Sequence, residues 1–142
     1  MNTFALRVQP RPDDDIPEVR VLIDGRDLVD LVRQVEAPWA AADGAPQLAG
    51  RYSGLWPGAW RELPERDGCG RVAVLACECG EVGCWPLHVR ITVSVSTVTW
   101  SGFAQPHRPA WRYDGLGPFV FDRAAYERAV HAVAAASHAR DA

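Results

Sequence analysis

The sequence predicts an α+β fold: an antiparallel β-sheet, with a three-stranded meander inside it, packed on two helices. Three features carry that prediction. Residues 71–103 hold the longest stretch of apolar residues at alternate positions, the period of half-buried strands. Shorter stretches at 4–8 and 18–23 alternate in the same way. Two further segments, starting near Leu28 and at Tyr126, repeat their apolar residues at helical spacing.

In chain order, Phe4, Leu6 and Val8 form one face of a first strand, which Pro10 and Pro12 stop. Asp13, Asp14 and Asp15 read as a solvated turn, because calcium needs a ligand loop with its own Gly and terminal Glu. Val19, Val21 and Ile23 make the apolar face of a second strand, and Asp24-Gly25 turns it directly into a helix. That helix points Leu28, Leu31, Val32 and Val35 inward and Arg26, Asp30 and Arg33 to water. Asp24 is placed to cap it, Asp27 to complement its dipole and Pro38 to end it. Residues 37–70 show no sustained period and read as a long irregular segment, pinned to the core by Tyr52, Trp56 and Trp60.

Within 71–103, Leu87, Val89, Ile91 and Val93 occupy odd positions whereas Val98 and Trp100 occupy even ones. A turn at Val95-Ser96 reconciles the two sets by pairing Val93 with Val98 and Ile91 with Trp100. Upstream, a loop of Gly80-Glu81-Val82-Gly83 sets Cys79 opposite Cys84, and Val72, Val74 and Ala76 opposite Ile91, Val89 and Leu87. Phe119-Val120-Phe121 is the last extended segment. Asp122 then caps the final helix, Phe121 staples onto Tyr126, and Tyr126, Val130 and Val133 face the core beside Ala129 and Ala134.

A chain of 142 residues with 48% hydrophobic content is the size of a single domain, 1–142, with one core. A net charge of −3 and no cluster of cations speak against nucleic acid as a partner. All fifteen cationic residues are Arg, and Val and Ala outnumber Ile and Asn, the codon bias of a GC-rich bacterial genome. No apolar run is long enough to cross a membrane and the first residues lack a leader pattern, so the expected location is the cytoplasm.

Side-chain chemistry concentrates at 75–86, which carries three of the four cysteines. In a reducing compartment these are thiols or metal ligands before they are disulfides. The predicted hairpin turns Cys77, Cys79, Cys84 and His88 to one face, resembling a Cys3His zinc site. Cys84 and His88, however, lie four residues apart on one strand, roughly 13 Å, too far to share a tetrahedral ion. His88 therefore reads as a half-exposed sheet residue. The metal-ligand candidates are Cys77, Cys79 and Cys84, with Cys69, His107, a carboxylate or water as the fourth, and zinc as the ion. Two other readings stay open: unliganded thiols that pack, and a redox or catalytic thiol, which Glu78 and Glu81 oppose by disfavouring a thiolate. A second candidate site lies in residues 103–119, where His107, Arg108, Trp111 and Arg112 offer donors and stacking faces to a planar or anionic ligand; the alternative is that the aromatics anchor a long connection.

Three segments carry a resemblance: Leu75-Ala76-Cys77-Glu78-Cys79-Gly80-Glu81-Val82-Gly83-Cys84-Trp85-Pro86-Leu87, Val98-Thr99-Trp100-Ser101-Gly102-Phe103-Ala104-Gln105-Pro106-His107-Arg108, and Gly117-Pro118-Phe119-Val120-Phe121-Asp122-Arg123. With Asp24-Gly25-Arg26-Asp27-Leu28, they resemble a group of small bacterial proteins, chiefly actinobacterial, over about half the chain. The resemblance implies a bacterial cytoplasmic origin and brings no activity, substrate or cofactor. The leading functional expectation is a non-enzymatic protein whose cysteine hairpin holds a structural zinc or packs. The alternatives are a cysteine-dependent enzyme or redox protein, and an immunity or regulatory protein that binds a protein partner through its aromatic loops.

Overall fold

The computed structural model describes residues 1–68 and 70–141, without the side chains of 136–141. Its elements run β1 (Phe4–Pro10), β2 (Pro17–Ile23), β3 (Arg26–Asp27), α1 (Leu28–Ala42), β4 (Tyr52–Gly54), β5 (Arg71–Cys77), β6 (Leu87–Val93), β7 (Thr97–Ala104), β8 (Phe119–Asp122) and α2 (Arg123–Asp141). The fold is α+β with antiparallel pairing, as the sequence predicts, but the strands divide into two sheets of order β1-β2-β3 and β4-β5-β6-β7-β8.

The two sheets are tied together at both edges of the larger one. The Asn2 amide donates to the Val120 carbonyl at 2.7 Å, bridging the start of β1 to β8. The Val19 amide donates to the Leu55 carbonyl at 2.7 Å, bridging β2 to the end of β4. The β1-β2 pair thus spans the gap between the edge strands β4 and β8, and backbone groups there find partners inside the chain. Val19, Val21, Ile23, Leu55, Leu75, Leu87, Trp100 and Phe121 are buried in this core. The helices sit apart: α1 packs on β2 and β3, while α2 packs on β1, β7, β8 and the 3₁₀ turn Pro57–Arg61. Trp100 is the aromatic hub. It lies edge-on to Phe4, Phe121 and Tyr126, with ring centroids 5.4, 5.8 and 6.2 Å away, and its indole N–H donates to Tyr126.

The predicted register of the β6-β7 hairpin holds, with Val93 opposite Val98 and Ile91 opposite Trp100. So does the start of α2: Asp122 accepts from the Ala125 amide at 2.9 Å, and Phe121 and Tyr126 stack at 5.8 Å.

Four expectations need correction. Asp24-Gly25 is a hairpin turn between β2 and β3, not a strand-to-helix turn. Both residues have positive φ, 54° and 79°, and Ile23 pairs with Arg26. The cap of α1 is accordingly Asp27, whose Oδ1 accepts from the Val29 amide; Asp24 accepts from Asn2 and the Thr3 amide instead. Pro38 does not end α1, which continues to Ala42. The ring removes one hydrogen bond to the Gln34 carbonyl, on a side of the helix where both residues are exposed and solvent can replace it. Residues 37–70 are less irregular than expected, since they contain the end of α1, the 3₁₀ turns Pro46–Leu48 and Pro57–Arg61, and the edge strand β4. Tyr52 and Trp60 are buried there, but Trp56 is half exposed. Finally, β5 pairs Val72 with Val89 and Leu75 with Leu87, across an irregularity between Ala73 and Leu75. The connection is longer than four residues, running from 78 to 86, and the partner of Val72 moves by two positions, from Ile91 to Val89, while that of Leu87 moves by one, from Ala76 to Leu75.

Among the described residues no helix is long and apolar enough to cross a membrane. One position tests how closely the two sheets fit. A Cβ on Gly54 would stand 2.1 Å from the Val19 carbonyl oxygen, a backbone atom with no freedom to turn away. Gly54→Ala is expected to lower stability by about 3 kcal/mol, the upper part of the range for overpacking. Chemical denaturation measures it, and an unchanged midpoint would show that the contact between β2 and β4 is not close.

Candidate metal centre

Cys77 is the last residue of β5 and stands opposite Tyr52 in β4. Its carbonyl accepts from Ser53 Oγ and from the Gly80 amide, both at 2.8 Å, so the chain folds back within three residues. Gly80 makes that reversal with φ of 97°; a side chain there would be strained, and its Cβ would meet the Arg11 guanidinium at 2.1 Å. A 3₁₀ turn, Val82–Cys84, then returns Cys84 toward the start of the loop. The outcome is a group of three thiols, Cys77, Cys79 and Cys84, whose Sγ atoms all lie within 4.8 Å of one another and can hold a metal ion. Cys77 is buried, whereas Cys79 and Cys84 are exposed.

The environments of the thiols differ. Burial pushes the Cys77 thiol up to about 12, whereas the Glu81 backbone N–H, donating to Cys79, holds that thiol below its ordinary range, helped by Cys77. The Glu81 charge opposes a thiolate at Cys79 as expected but is outweighed by its own backbone N–H, whereas Glu78 meets a different geometry. The Glu78 carboxylate is engaged by Arg51 at 2.7 Å, and Arg51 is close enough to Cys77 and Cys84 to feel their charge.

The remaining candidates fall into place around this loop. Cys69 lies outside the described residues. His88 is not part of the thiol group, in line with the distance argument, but it is buried where the sequence suggested half exposure. Its Nδ1 lies 3.7 Å from Asp67, and burial lowers its basicity. His107, Arg108 and Trp111 converge on Trp85. His107 stacks on that ring at 5.9 Å, the Arg108 guanidinium sits 5.4 Å over it, and Trp111 meets it edge-on at 6.1 Å. Arg112 does not join them and pairs with Asp114 on the surface. The donors of the cluster are spent within the chain. His107, as its Nε2–H tautomer, donates to the Gly83 carbonyl at 3.1 Å, and Trp111 Nε1 donates to Asp43 at 2.8 Å.

Beneath the loop lies an acid that sequence reasoning missed. Glu36 on α1 is fully buried. Its Oε1 accepts from the Gly50 amide at 2.8 Å, and its Oε2 from the hydroxyls of Tyr52 and Tyr113. Gln105 extends the network, its amide donating to Tyr52 and to the Pro86 carbonyl, both at 3.0 Å, and accepting from the His107 amide. A signal was present: Leu28, Val32, Glu36 and Ala40 recur every fourth residue, so a lone acid sits on the buried face of the helix. Burial raises the Glu36 carboxyl above its ordinary range despite the donors from Tyr113, Tyr52 and Gly50.

The chain matches no family model, no curated protein and no solved structure, so its own residues carry the functional reading.

Glu36 gives two tests. Glu36→Ala leaves two hydroxyls and an amide unpaired in the interior and is expected to cost at least about 3 kcal/mol. Because the folded-state pKa of Glu36 is raised, its protonated form fits the fold better, and its contribution is lost as pH rises from the unfolded value near 4.3 through the folded one. Glu36→Gln, which does not titrate, should therefore gain stability relative to the native chain as pH rises from 4 to 8. The gain is about 1.4 kcal/mol for each pH unit by which the two states' pKa values differ. A gap independent of pH in parallel denaturation series would refute this.

Proposed function

We propose that the protein binds one thiophilic metal ion, zinc, through Cys77, Cys79 and Cys84, and that binding rather than catalysis is its task. The observation that carries this reading is the gathering of three Sγ atoms within 4.8 Å. Zinc–thiolate bonds of about 2.3 Å in tetrahedral geometry bring sulfurs to about 3.8 Å apart, a contraction of at most roughly 1 Å that the exposed Cys79 and Cys84 side chains make by small rotations. An all-thiolate set favours zinc or another soft ion over magnesium or calcium. The reducing interior of a bacterial cell suits such a site, because its thiols stay reduced.

A redox thiol is the second reading, favoured by the exposure of Cys79 and its lowered thiol pKa. The partner-binding reading draws least support, since His107, Arg108 and Trp111 are occupied in holding their own loop.

Elemental analysis of protein purified with zinc and reductant is expected to find about one ion per chain. Cys79→Ser or Cys84→Ser should each weaken zinc by more than the roughly 10–100-fold typical of changes outside the ligand set. Bound zinc should also shield Cys79 and Cys84 from iodoacetamide. Protein without zinc, with Cys79 labelling at the same rate whether or not the ion is supplied, would abandon the metal reading for the redox one.

A further inference from the structure

We infer that the fourth coordination position of this ion is open to solution and takes a small-molecule thiolate, so that the ion is an exchangeable cargo and not a structural fastener. The inference rests on the metal reading above. Two observations carry it beyond that reading.

The first concerns the ligand set. Among the described residues, the group able to share an ion ends at Cys77, Cys79 and Cys84, with no His, Asp or Glu joining it. Of the carboxylates near the loop, Glu78 is paired with Arg51, while Glu81, whose charge acts on Cys79, and Glu65, beside Gly83, stand outside the group of three. Two of the three ligands are exposed, so an ion held by them would be reachable from solution. Closed structural zinc sites fill all four corners from the chain, whereas sites with three protein ligands keep the fourth for water or an incoming group. Three thiolates make the ion soft, and a thiolate from solution is the donor that best displaces water.

The second observation is that contacts from other segments of the chain hold the loop from several sides. Arg11 donates to the Glu78 carbonyl at 2.8 Å, Ser53 to the Cys77 carbonyl, Gln105 to the Pro86 carbonyl, and His107 to the Gly83 carbonyl. Trp85 is held by His107 stacked on its ring and by the Arg108 guanidinium over it. Small domains built on structural zinc lack such supports, and they unfold when the metal is removed. Here the thiols are gathered by protein contacts, and the metal enters a site already shaped. Exchange is then a ligand substitution without electron transfer. An incoming thiol would give up its proton and displace the water bound at the fourth position, and a chain thiolate that left in turn would take up that proton, so the exchange would be neutral in protons and electrons.

The test uses the full chain loaded with Co(II), whose visible bands report the number of sulfur ligands, titrated with 2-mercaptoethanol. A saturable, one-to-one shift toward a four-sulfur spectrum is expected, and Cys69→Ser should give the same titration. Removal of the ion by a chelator should leave the near-ultraviolet circular dichroism of the buried tryptophans unchanged. Three results would each overturn the inference while leaving metal binding intact. These are a four-sulfur spectrum before thiol is added, a Cys69→Ser chain that binds cobalt as weakly as Cys84→Ser, and collapse of the tertiary signal on chelation. A chain that binds no cobalt at all would instead sink the metal reading on which the inference stands.

Discussion

The interior carboxylate of Glu36 is the interaction on which most of the architecture around the thiols depends. It sits on α1, takes an amide from the turn at Gly50, one tyrosine hydroxyl from β4 and another from the loop after β7, and through Tyr52 reaches Gln105. A buried acid is expensive unless its oxygens are satisfied, and here each accepts at least one donor. The same bonds satisfy the donors, since two buried hydroxyls without an acceptor would cost about as much as the network returns. Such a set of groups is an all-or-none arrangement. It specifies where β4 and the 105–113 segment must lie relative to α1, more than it adds to stability.

That placement decides what the cysteine loop can be. Gln105 is the joint: one amide N–H goes to Tyr52 and the other to the Pro86 carbonyl, so the acid network and the thiol loop share a side chain. With Arg11, Ser53 and His107 holding other carbonyls of the loop, the thiols converge on a surface shaped from behind. The contacts that gather the thiols come from the chain itself, unlike those of small domains that fold only when zinc binds. The aromatic cluster of Trp85, His107, Arg108 and Trp111 belongs to the same support. Its rings and cation are spent on one another and on Asp43.

Much of this was legible from neighbouring residues. Parity of Val93 and Val98 yields the β6-β7 register, and Asp122 with Phe121 and Tyr126 marks the start of α2, because side-chain period and capping chemistry act over a few residues. The spacing of Cys77, Cys79 and Cys84 across a reversal likewise pointed to a shared site and away from His88. The loop itself was harder to read. A four-residue turn was the shortest solution for the pattern, yet the chain builds a longer one with a 3₁₀ turn, held by Arg11, Gln105 and His107 from other segments. Asp24-Gly25 was misassigned for a local reason, since only two strand residues follow it before the helical stripe begins.

By itself, then, the sequence determined the α+β class, the meander, both helices and the meeting of three thiols, since each is written in spacings between residues close in the chain. Only the tertiary structure decided that the strands form two sheets tied at their edges, that β4 exists, and that Glu36 organises the interior behind the loop. A three-residue strand has no period to detect, and Glu36, although its place on the apolar face of α1 marks it, gives no local sign of its partners. Those partners come from 14, 16 and 77 positions away. Pairings at that range are chosen by the packing of the whole chain, where burial makes an unsatisfied oxygen costly and so selects the arrangement that satisfies it.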